Sequence, residues 1–147
     1  MTNDQTRTIR TAHLTVLIVD DDPMIREIIT EQLKALGFQK FLEAGNGSEA
    51  IKFILDPLYK VDLILCDWEM PKADGLTLLR AVRVSRFNAQ TPFIFITSQQ
   101  SQERTKISQA KKHHADAYIV KPFRSEILRE KVLQVLFEAL EKKAVGS

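Results

Sequence analysis

Apolar positions along this chain come in solid blocks, not in strict alternation with polar ones. Leu14–Val19 (LTVLIV), Leu63–Cys66 (LILC), Phe93–Ile96 (FIFI) and Ala117–Val120 (AYIV) are runs of this kind, rich in β-branched and aromatic residues. Such runs predict strands buried on both faces, and Lys40–Ala44 (KFLEA) predicts a shorter second strand. Between the runs the period becomes helical. Asp22 and Pro23 suit an N-cap and a first helical position, Ile25, Ile28, Ile29, Leu33 and Leu36 share one face, and Gly37 closes the helix. Ala50, Ile51, Ile54 and Leu55 mark a second helix that breaks before Pro57, and Asp74 caps a third carrying Leu76, Leu78, Leu79 and Val82. Gln99–His114 is polar and predicts a weak helix with only Ile107 and Ala110 apolar. The last helix is expected over Ser125–Lys142. Strands alternating with helices in this way predict an α/β domain whose parallel sheet is covered on both faces by right-handed crossovers.

The 147 residues suit one domain, expected over 14–143 between a flexible tail at 1–13 and a short one at 144–147. A net charge of +2 is too small for wholesale nucleic-acid binding. The local exception is a basic cluster of Lys106, Lys111, Lys112, His113 and His114. No apolar run reaches the roughly 20 residues of a membrane span, and the N-terminal segment lacks an apolar signal core. The single cysteine, Cys66, sits in an apolar run and reads as a core thiol in a reducing compartment. The expectation is a cytoplasmic protein with no membrane and no nucleic-acid partner.

The chemistry lies where the strands stop. Four of them run into polar residues: Asp20 and Asp21, then Asp67, then Thr97, then Lys121. In an open parallel sheet ligands bind outside the carboxyl ends of the strands, so groups spread over a hundred residues of sequence converge there. Three carboxylates in one crevice repel each other unless a cation intervenes. Hard oxygen donors suit Mg2+, which keeps positions for water and phosphate oxygens. A carboxylate beside Mg2+, a lysine and a hydroxyl can attack phosphorus and form an acyl phosphate.

The ordered set VDDDP, CDWEMPKADG, ITS and YIVKPF resembles the receiver domain of two-component response regulators, within it the single-domain CheY-like chemotaxis regulators, over about residues 14–140. The resemblance implies a flavodoxin-like doubly wound (βα)5 fold with strand order 2-1-3-4-5 and a cis Lys121–Pro122 bond. It implies Asp67 as phosphoacceptor, Mg2+ held by Asp20, Asp21, Asp67 and the backbone carbonyl of Glu69, and Thr97 and Lys121 against the phosphoryl group. Tyr118 becomes the aromatic that changes rotamer with Thr97, and Trp68 marks the CheY-like subgroup and reports ligand binding by fluorescence. A sensor histidine kinase supplies the phosphate. Output is expected from a monomer through protein contact with a downstream target, a flagellar motor switch protein being the family expectation. The face of the fourth helix, fifth strand and fifth helix, with Lys111 and Lys112, is the expected output surface. On this reading the only catalysis is Mg-dependent self-phosphorylation and autodephosphorylation.

Two other classes fit parts of the pattern. Asp20-Asp21-Asp22 can be read as the Asp-x-Asp nucleophile motif of a haloacid dehalogenase-like phosphatase, although Pro23 follows where that family has Gly or Thr. A receiver-like module that binds partners without phosphorylation would not need every site residue present. Two departures from the resemblance stand out. Glu69 replaces a common Asn two residues past the acceptor and is expected to lengthen the acyl-phosphate lifetime. His114 stands where relatives have the Gly of a left-handed helix cap.

Overall fold

A computed structural model describes residues 9–98 and 103–146. Strands β1 (Thr15–Val19), β2 (Lys40–Ala44), β3 (Leu63–Cys66), β4 (Phe93–Ser98) and β5 (Ala117–Lys121) alternate with helices α1 (Pro23–Lys34), α2 (Gly47–Leu55), α3 (Gly75–Arg83), α4 (Glu103–Lys112) and α5 (Ser125–Gly146). Every pairing is parallel and the order is β2-β1-β3-β4-β5, the doubly wound arrangement expected. The Lys121–Pro122 bond is cis.

The unbroken apolar strands are explained by two cores, one on each face of the sheet. Val16, Ile18, Leu63, Leu65, Ile94 and Ile96 point to one side and pack with Ile29 and Leu33 of α1 and Leu128 and Val132 of α5. Leu17, Val19, Ile64, Cys66, Phe93 and Phe95 point to the other and pack with Ala50 and Ile54 of α2 and Leu78, Leu79 and Val82 of α3. Period-2 alternation therefore persists, but both faces are apolar because both are covered.

The caps fall where the side chains allow. Asp22, Asn46 and Asp74 each accept a hydrogen bond from the first turn of α1, α2 and α3. Both ends of the domain differ from expectation. The helical pattern of α5 continues to Gly146, so residues 144–146 extend the helix instead of forming a tail. Of the expected N-terminal tail, residues 1–8 lie outside the described residues, as do residues 99–102 and the Lys106 side chain of the basic cluster. Residues 9–13 are tied down. Thr11 is buried and its hydroxyl donates to the Leu36 carbonyl at 2.8 Å, satisfying a group left over at the end of α1, while Ile9 packs on the core. Gly37, at φ 95°, makes that contact possible, since a Cβ there would stand 2.7 Å from the Thr11 hydroxyl.

Candidate functional site

Strand register builds the site. Val19 pairs with Cys66, so the next residues, Asp20 and Asp67, leave the sheet side by side. Their backbones stay in the ladder: the Asp67 N–H donates to the Val19 carbonyl at 2.8 Å and the Asp20 N–H to the Ala44 carbonyl at 3.1 Å. On the other side Thr97 pairs with Val120 and Ser98 with Lys121, bringing the ends of β4 and β5 to the same level.

Asp20 is 2% exposed. The Lys121 ammonium donates to Asp20 Oδ2 at 2.8 Å and lies 3.7 Å from Asp67 Oδ2, so one cation serves two carboxylates. One oxygen from each of Asp20, Asp21 and Asp67 lies within 4.8 Å of the others. Burial pushes the Asp67 carboxyl up to about 6; Lys121 and the Trp68 amide pull it down, and Asp20 and Asp21 push it further up. The lysine therefore does not fully compensate this crevice.

Thr97 is 0% exposed and its Oγ1 has no hydrogen-bond partner among the described residues. A buried hydroxyl left unpaired costs about 1–3 kcal/mol, which marks it as a donor awaiting an acceptor. Tyr118 is half-buried, its ring packs on the core that faces α2 and α3, and its hydroxyl is enclosed by protein. Trp68 is part of that core, with its ring 4.5 Å from that of Phe95. Glu69 beyond it is exposed.

Several groups that shape the site are not evident from sequence patterns. Arg26 on α1 donates through Nη1 to the Asp20 carbonyl and through Nε to Glu43 at 2.8 Å, bracing the end of β1 against β2. The loop after Glu69 is strained and strapped. Lys72 (φ 51°) and Ala73 (φ 75°) adopt left-handed backbone, and the Ser48 N–H and hydroxyl both donate to the Lys72 carbonyl. Gly47 permits this, because a Cβ there would meet the Ala73 carbonyl oxygen at 2.3 Å.

Lys111 and Lys112 are exposed and end α4 near the start of β5, at the end of the strands opposite the crevice. His114 does adopt the left-handed conformation foreseen for that position, at φ 67°. Arg83 holds it: Nε and Nη2 donate to the His114 carbonyl at 3.1 and 2.8 Å, Nη2 to Asp116 at 3.0 Å and Nη1 to Thr91 at 2.7 Å. Asp22 caps α1 through Oδ1, which accepts from the Met24 N–H, and is exposed. That side chain is the second acid an Asp20-x-Asp22 phosphatase motif requires, and its capping role leaves that reading unsupported. The Cys66 thiol is buried and donates to the Asp67 carbonyl at 3.0 Å.

Comparison with known proteins agrees with this geometry. The family model described as the response regulator receiver domain matches residues 16–133. The chain is similar to the chemotaxis protein CheY of Pseudomonas aeruginosa, with 34% identity over 120 residues, 82% of this chain and 94% of that one. It is similar to CheY1 of Helicobacter pylori, at 36% over 121 residues, 82% of this chain and 95% of the relative. The solved structure of the chemotaxis response regulator CheY4 of Vibrio cholerae superposes with a TM-score of 0.74 at 30% identity, covering 84% of this chain and 98% of that one.

Proposed function

Because the chain belongs to the response regulator receiver family, a family of phosphorylation-activated two-component switches, we propose that Asp67 is the phosphoacceptor and that the crevice around it performs the transfer. The observation that carries the reading is the charge arrangement among the described residues: three carboxylates within 4.8 Å of one another, one ammonium between them, and a buried unpaired hydroxyl alongside.

The donor set fits Mg2+. Asp20, Asp21 and Asp67 offer hard oxygens and a surplus of negative charge, and the Glu69 carbonyl would complete the protein's share of ligands. Bound there, Mg2+ supplies charge stabilisation for the phosphoryl oxygens and lets the three carboxylates stay ionised together. Asp67 attacks phosphorus through a carboxylate oxygen. A P–O bond forms as the P–N bond of a kinase phosphohistidine breaks, and the imidazole leaves with the electron pair. Lys121, already placed between Asp20 and Asp67, pairs with the transferred oxygens. The Thr97 hydroxyl donates to one of them, and its movement toward the site makes room for Tyr118 to settle inward. The two states then differ in partner affinity, a shift of populations set by one covalent group.

The phosphate source on this reading is a sensor histidine kinase. The target is a protein that meets the face of α4, β5 and α5, where Lys111 and Lys112 favour an acidic partner. The similarity to chemotaxis regulators makes a flagellar motor switch protein the family-based target, met by a monomer. A reaction with Mg2+ and a small acyl-phosphate donor tests the proposal. Trp68 fluorescence should change in the wild type and not in Asp67→Ala, and peptide mapping should place the phosphate on Asp67. An undiminished response in Asp67→Ala would overturn it.

A further inference from the structure

The end of the sheet opposite the crevice carries a surface of different chemistry. A cavity of about 1020 Å³ opens there between residues 9–14, the connections entering β3 and β4, and the last turns of α5. Seven lysine and arginine side chains line it against three acidic ones, a surplus of four positive charges in a chain whose total is only +2. Two of those acids are already engaged. Asp62 accepts from the Thr15 N–H at 2.8 Å, and Asp116 accepts from Arg83 at 3.0 Å and from the Phe93 N–H at 2.8 Å. Lys60 and Arg86 form no ion pair among the described residues. The molecule is thus polarised along its strands, with negative charge at the phosphorylation crevice and positive charge at the far end.

Apolar side chains stand beside this basic rim. Leu58 is 86% exposed, Val84 85% and Phe87 49%. They share one end of the domain because Asn88 pins the exits of α2 and α3 together, donating to the Ile54 carbonyl at 3.1 Å and accepting from the Val61 N–H at 3.0 Å. Phe87 also lines the cavity, and the Arg86 guanidinium lies 5.4 Å from the centre of its ring. An exposed aromatic lining a cavity with surplus cations, with further exposed apolar groups on the neighbouring connections, has the features of a protein-binding surface.

We infer that this end of the sheet is a second docking surface, for an acidic amphipathic segment of a partner protein, used whether or not Asp67 carries phosphate. The cations select acidic side chains, and Leu58, Val84 and Phe87 receive the apolar ones. A bare polyanion would leave the apolar residues without a role, and a symmetric second copy would set two positive surfaces against each other. The surface meets the α4–β5–α5 face at Lys111, and the rest of it lies at the far end of the strands from the crevice, so a partner can hold the protein here while the crevice reacts.

The test uses the full chain and a fluorescent synthetic helical peptide with leucine on one face and glutamate on the other, followed by anisotropy. Leu58→Ser with Phe87→Ser, and separately Lys60→Glu with Arg86→Glu, should each weaken binding by about tenfold or more. Asp67→Ala should leave it unchanged, which separates this surface from the phosphorylation proposal. Thermal melts and circular dichroism confirm that each variant is folded. Equal binding of a glutamine-for-glutamate peptide would overturn the inference. So would loss with the charge variants alone together with full competition by inorganic polyphosphate, which would make the surface a polyanion site. Concentration-dependent dimerisation abolished by Leu58→Ser with Phe87→Ser would assign the patch to a second copy and overturn it equally.

Discussion

The two sides of the crevice are held in place by different forces. On the β1–β3 side, α3 buries Leu78, Leu79 and Val82, and Trp68 and Phe95 pack tightly beneath the loop that follows Asp67. On the β4–β5 side, of the α4 side chains described only Ala110 is buried, and the end of that helix is secured by the polar grip of Arg83 on His114 and Asp116. Apolar packing is lost only by opening the core, whereas polar contacts near the surface can open locally and leave the core intact. The difference suits the two sides to different tasks on the proposed reading: the packed side would fix Asp67, and the hydrogen-bonded side would be the one able to respond.

Four substitutions would break or sharpen that contrast, starting with the largest effect. Asp67→Asn should remove phosphorylation altogether, read as the absence of the phosphoprotein by intact-mass spectrometry. The same variant carries a pH signature in the metal-free protein. Because the folded-state carboxyl titrates near 6 against 3.8 unfolded, the native state binds its proton more tightly, and ionised Asp67 destabilises the fold fully above about pH 6. Asp67→Asn should therefore raise stability in chelator at pH 7.5 by up to about 3 kcal/mol, a gain that shrinks as pH falls through 6 and vanishes below about 4. A pH-independent gain would mean that the burial of this carboxylate is not what destabilises the fold.

Arg83→Ala tests the hydrogen-bonded side. Loss of its bonds to His114, Asp116 and Thr91 should cost about 2–4 kcal/mol in denaturant midpoint and speed amide exchange at the end of α4 and the start of β5, with β1 and β3 unaffected. Uniform loss of protection would erase the distinction between the sides. Thr97→Val removes an unpaired hydroxyl and should stabilise the unphosphorylated protein by about 1 kcal/mol, while uncoupling Tyr118 from acyl phosphate in ring NMR shifts. Glu69→Asn is the smallest change: autodephosphorylation should quicken by about 2- to 10-fold as water gains an easier approach. An unchanged half-life would remove Glu69 from the control of lifetime.

Much of this was legible in the sequence, and the reason is topological. Parallel strands buried on both faces must end at a common edge, so an acid, a hydroxyl and a lysine that each stop such a strand are bound to meet, whatever their separation along the chain. Asp20, Asp67, Thr97 and Lys121 were therefore readable from the strand ends. Arg83 was not. An arginine on the polar side of a helix looks like any solvated cation, and only the fold shows that carbonyls from two loops converge on it. Arg26 was hidden for the same reason. Thr11 was read as part of a tail because its role depends on a carbonyl 25 residues away. The helix α5 runs past the expected Lys142 to Gly146, and Ala144 and Val145 carry no signal that would stop it earlier. What local pattern cannot convey is the long-range hydrogen bond, and Arg83, Arg26 and Thr11 each depend on one.

The unsatisfied hydroxyl of Thr97 has one further consequence. It leaves the protein with a small, localised frustration at the end of β4, a buried donor without an acceptor among the described residues. Such a spot behaves as a loaded spring of a few kilocalories at most. It needs no large lever to release it, only one oxygen at the right distance, and on the proposed reading that would set the scale on which a single phosphoryl group is felt across the β5 edge of the domain.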